Sequence, residues 1–134
     1  MMLSWLNKLF KNEEQPEELE LTTPKDAKAH FVLKYKNLPI GYLNHANGKW
    51  EFQYSDEFKF QQKIDVLVDF PEKTQKYEAS YLWPFFAHRI PGLGQPQIRE
   101  IIRHENLNPH NEIDLLRRFG QKTITNPFEL TTTA

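Results

Sequence analysis

Five histidines, His30, His45, His88, His104 and His110, are the first residues to test for chemistry, because two or three of them on one face would bind a divalent metal. No two of them stand at helical i, i+4 spacing in the manner of a zinc motif, so they read as scattered surface side chains. The chain has no cysteine, which removes thiolate sites, disulfides and a cysteine nucleophile together. Ser4, Ser55 and Ser80 are the only serines, and none lies in a Gly-x-Ser-x-Gly elbow. Among the carboxylates, Glu13 to Glu20 fall in an acid-rich run, while Asp56, Glu57, Asp65 and Asp69 are expected at solvated strand ends. The stretch PGLGQP offers Gly92 and Gly94 ahead of a helix start, where free N–H groups attract anions. A nucleotide loop needs a preceding buried strand and a Gly-Lys-Ser/Thr ending, and Gln95-Pro96 stands there instead. A helix-to-helix corner, with Gly92 ending one helix and Pro96 starting the next, is the better reading. No catalytic, cofactor or metal residue is therefore assigned, and no enzymatic activity is expected.

The elements that would carry these residues follow from periodicity. Met1–Asn12 sorts into an apolar face of Met2, Leu3, Trp5, Leu6, Leu9 and Phe10 and a polar face of Ser4, Asn7, Lys8, Lys11 and Asn12, the pattern of a short amphipathic helix. Residues 13–29 are acidic and broken by Pro16 and Pro24, which reads as a linker, and 30–134 as the domain. Phe31, Leu33 and Tyr35 alternate with Val32, Lys34 and Lys36, a second strand runs through Ile40–Leu43, and Asn47-Gly48 predicts a type I′ turn into Trp50, Phe52 and Tyr54. Alternation of Ile64, Val66, Val68 and Phe70 predicts a further strand. Three helices are then expected: Ser80–Arg89, one from Pro96 with Ile98, Ile101 and Ile102 on a stripe, and one capped by Asn108 with Pro109 at its first position and Gly120 as its stop. The fold class is α+β, a small antiparallel β-meander with about three helices packed on it.

Charge is balanced, 17 basic against 18 acidic residues, so no global attraction to nucleic acid or anionic lipid exists. Arg99, Arg103, Arg117 and Arg118 on the last helices keep a nucleic-acid-binding accessory regulator as the alternative function, with Glu100, Glu105 and Glu112 interspersed against it. No apolar run spans a bilayer, and a cytoplasmic protein without membrane contact is expected.

The order of features resembles the N-terminal subdomain of HipA-type toxin kinases. Gly41 and Leu43 match its Val-Gly-x-Leu strand, and Phe52 and Tyr54 its Phe-x-Tyr strand. Phe85, Phe86, Pro91 and Gly92 match its corner, and Leu115, Leu116 and Gly120 its closing helix. Arg89 stands where the family prefers leucine, no glutamate separates Pro91 from Gly92, and QKTITNP replaces the small-residue continuation after Gly120. The resemblance implies a stand-alone, HipS-like component of a HipBST-type system: an antitoxin that binds a HipA-like kinase, with no kinase core in these 134 residues. A helix-turn-helix DNA-binding antitoxin would join the same complex, and no direct DNA contact by this chain is expected. Tyr81, Trp83, His88, Arg89 and Gly92, on and around the corner, are the candidate partner-binding residues.

Overall fold

The computed structural model describes residues 23–24 and 26–133. Strands β1 (Ala29–Tyr35), β2 (Leu38–Ala46), β3 (Lys49–Tyr54), β4 (Lys76–Ala79) and β5 (Glu129–Thr132) form one antiparallel sheet in the order β4-β3-β2-β1-β5. Helices α1 (Asp56–Phe60), α2 (Pro84–Ala87), α3 (Pro96–His104) and α4 (Glu112–Phe119) complete an α+β fold. The helix expected over Met1–Asn12 and residues 13–22 of the expected linker lie outside the described residues.

Alternation decides which face of the sheet is buried. Phe31, Leu33, Leu43, Trp50, Phe52 and Tyr54 point into one core, joined there by Phe58 of α1, Phe86 of α2 and Ile113 and Leu116 of α4. Side chains of opposite phase, in the cross-strand row Val32, Tyr42, Gln53 and Lys76, form the other face, where Tyr42 is exposed. Asn47 and Gly48 both take positive φ, 54° and 77°, as the two-residue hairpin turn requires. Pro39 is accommodated because the β1–β2 register shifts between Leu33 and Lys34, and a proline is tolerated where the ladder is broken.

Close packing gives Gly41 its role. A Cβ there would lie 2.5 Å from Phe52 Cζ and 2.9 Å from the Gln53 carbonyl oxygen. Phe52 cannot yield, since its ring stacks on Phe70 at 4.2 Å and meets Phe86 at 5.7 Å. Gly41→Ala is therefore expected to cost about 2 kcal/mol by overpacking. Urea unfolding with an unshifted midpoint would show that the sheet has slack at this point.

Three expectations are corrected. Residues 64–70 are not a strand: Tyr54 Oη donates to the Phe70 carbonyl at 2.6 Å and accepts from the Leu67 N–H at 2.8 Å, while the Gln61 amide bonds the backbone of Lys63 and Ile64. Side chains thus take the place of a ladder, and the fourth strand forms later, at Lys76–Ala79. The helix expected over Ser80–Arg89 is only Pro84–Ala87, with Pro84 in its first turn and His88 as C-cap, so Gly92 does not end it. Helix α4 is capped by Asn111, whose side chain accepts from Ile113 and Asp114, whereas Asn108 closes a turn by accepting from the His110 N–H. Two elements were not anticipated. Helix α1 starts at Ser55, which accepts from the Phe58 N–H with Asp56 and Glu57 following, and β5 returns to pair with β1.

Candidate functional site

The corner is held from three sides. The N–H of Phe86 and that of Ala87 both donate to the Trp83 carbonyl, closing the first turn of α2. Trp83 has no side-chain cap to offer, and Asp69 supplies one from the neighbouring loop, its carboxylate accepting from the Phe85 N–H at 3.1 Å. Beneath α2 lies Arg89, 4 % exposed. Its guanidinium donates to the carbonyls of Gly120 and Phe128, both at 2.9 Å, and to Asn126 Oδ1 at 3.1 Å, and it lies 5.6 Å from the Phe85 ring centroid. No carboxylate accompanies it in these bonds, and burial lowers its pKa to about 10, which leaves it charged at neutral pH.

Packing of the irregular 64–69 segment against α2 and the approach to β5 leaves an open groove of about 470 Å³, walled by Ile64, Val66, Val68, Pro84, Phe85 and Phe128. Val68 is 95 % exposed, and Ile64, Val66, Phe85 and Phe128 are only partly covered. Asp65, Asp69 and His88 add polar groups to the same walls. Apolar surface left open in this way can bury apolar side chains of another molecule. Among the described residues, no three His, Asp or Glu side chains group as metal ligands.

The candidate partner-binding residues separate on this geometry. His88 is exposed and lines the groove. Tyr81 is 64 % exposed and Gly92 is exposed, yet neither lines it. Trp83 is half-buried, its ring edge-on to Phe70 at 4.9 Å. Arg89 faces the interior, so its donors serve the fold and present nothing to a partner. The groove residues that sequence reasoning missed are Ile64, Val66, Val68 and Phe128. For the first three the signal in the sequence was Leu67, an apolar residue out of phase with the alternation; Phe128 had none.

Of the histidines, His45 is a correction to the surface reading: it is buried, with Nδ1 2.7 Å from the Ala27 carbonyl oxygen. The basic residues of α3 and α4 are largely matched by acids: Arg103 by Glu100 at 2.7 Å, Arg118 by Glu105 at 2.7 Å and Arg117 by Asp114 at 3.6 Å. No helix among the described residues is long and apolar enough to cross a membrane.

The sequence model of the family described as HipA N-terminal domain matches residues 32–125, from β1 through α4 and into the segment that Arg89 holds. The chain belongs to that family. No curated protein sequence matches it. Within this HipA N-terminal domain, the residues that carried the resemblance are mostly structural: Leu43, Phe52, Tyr54, Phe86, Leu115 and Leu116 are buried, and Gly41 and Gly120 admit close approach of Phe52 and Leu116. Two of the noted departures from the family pattern meet in space, since Arg89 bonds the carbonyl of Gly120 and reaches the 121–128 segment that follows it.

Proposed function

We propose that this HipA N-terminal domain is a non-catalytic, protein-binding component that binds and restrains a HipA-like serine/threonine kinase, as an antitoxin or regulatory subunit in the cytoplasm. One observation carries the reading: the apolar groove beside the family's corner, where Val68 is exposed and Phe85 and Phe128 are only partly covered. Covering these side chains on binding would remove apolar area from water at about 25 cal/mol per Å², the usual source of interface affinity. Membership of the HipA N-terminal domain family supports a HipA-like kinase as the partner. Pairing of Arg103, Arg117 and Arg118 with carboxylates weakens the nucleic-acid alternative, because an arginine already matched by an acid neutralises fewer phosphates.

The test is co-expression with a HipA-like kinase, with co-purification and growth as readouts. A stable complex that restores growth is expected. If the two proteins elute separately and toxicity is unchanged, the reading falls.

A further inference from the structure

Helix α3 is amphipathic, yet it buries none of its side chains, and Ile98, Ile101 and Ile102 remain only partly covered. Alongside it runs a second groove of about 730 Å³, whose walls include Leu93, Pro96, Ile102 and Pro109 together with Arg99 and Arg103. The described chain enters the fold next to this groove. Thr23 Oγ1 donates to Glu112 Oε1 at 2.6 Å, and Glu112 follows the groove residues Pro109 and His110 within three positions.

What precedes Thr23 has matching chemistry. Apolar side chains at helical spacing, Leu3, Leu6, Leu9 and Phe10, come first, and Glu13, Glu14, Glu17, Glu18 and Glu20 stand between them and the anchor. Arg103 already meets Glu100, while Arg99 has no ion pair among the described residues. A twelve-residue helix is about 18 Å long, and residues 13–22 reach at most about 35 Å when extended. The groove beside Val68 is a poorer match on two counts. Its walls carry two acids, Asp65 and Asp69, and no arginine or lysine, whereas the one acid on the α3 groove, Glu100, already pairs with Arg103; and its Phe128 packs on Tyr35 at the far end of β1 from Ala29.

We propose that Met1–Asn12 packs in cis, as an amphipathic helix, into the groove beside α3, with the glutamate run passing Arg99. The inference is independent of which protein binds the groove at Val68. The absence of cysteine allows a clean test: Ser4→Cys in the full 134-residue chain takes a single nitroxide. The oxidised label is expected to bleach the amide signals of Leu93, Gly94, Ile102 and Arg103 and to spare those of Val68 and Phe128, with full recovery on reduction. Adding Leu6→Glu to the labelled chain should abolish the bleaching. Four results would overturn the proposal: no selective bleaching; bleaching around Val68 and Phe128; bleaching that persists when labelled chain is mixed with isotope-enriched unlabelled chain, which indicates a second copy; or bleaching seen only with phosphatidylglycerol vesicles, which indicates a lipid surface.

Discussion

Arg89→Met is expected to lower the free energy of unfolding by about 3 kcal/mol, the largest single loss at the corner. Methionine keeps most of the stem's volume, so the effect isolates the guanidinium. Removing it leaves the buried carbonyl of Gly120 and the partly buried one of Phe128 without their donor, and a buried acceptor left unpaired costs about 1–3 kcal/mol. Relief of the buried cation offsets part of this, since it has no carboxylate partner and its Nε finds no acceptor among the described residues. A loss of this size lowers the melting temperature of a domain this long by roughly 10 °C. Calorimetry is the measurement, and an unchanged transition would mean that the 120–128 segment holds its place without Arg89. The Phe85 ring, which lies between Arg89 and the groove, should also lose order, visible as averaged ring resonances.

Val68→Glu is expected to weaken the proposed complex with a HipA-like kinase by about 2 kcal/mol, roughly thirty-fold in Kd, through a charge placed in a contact that must be desolvated. The substitution suits the purpose because Val68 is 95 % exposed in the free domain, so its loss leaves no cavity and the melting temperature should hold. Tyr42→Glu, on the open face of the sheet, is the matched control and should bind as the parent does. Titration calorimetry of all three proteins against the kinase decides the matter. Equal affinities for Val68→Glu and the parent would remove the groove from the interface.

Much of the fold was legible because its decisive signals are local. Asn47-Gly48 permits a turn that few other pairs permit, and the alternation around it points Trp50, Phe52 and Tyr54 to one face whatever else the chain does. Pro96 likewise marks a helix start through backbone chemistry alone, and Gly120 marks an end where a side chain would collide with Leu116. The helix at Asp56–Phe60 had such a signal in Ser55-Asp56-Glu57, and its brevity hid it. Strand β5 had none, because Glu129–Thr132 is short and becomes a strand only by pairing with Val32 and Leu33, some hundred residues earlier.

The site was less legible for a physical reason that recurs across the corner. Ile64, Val66 and Val68 have the composition of a strand, and one side chain distant in sequence, the Tyr54 hydroxyl, occupies the backbone groups a ladder would have used. Arg89 looked like a surface cation because arginine usually is one. Carbonyls contributed by residues 120–128 make it an interior one.

By itself, then, the sequence determined the α+β class, the hairpin that organises the sheet and the shared face of Trp50, Phe52 and Tyr54, which follow from short-range backbone preferences and side-chain periodicity, while the kinship with HipA N-terminal domains was carried by the resemblance of its motifs. The tertiary structure alone decided which apolar residues stay uncovered and where a buried cation finds its acceptors. Exposure and hydrogen-bond satisfaction depend on groups that the chain brings together from far apart, and no local pattern encodes that meeting.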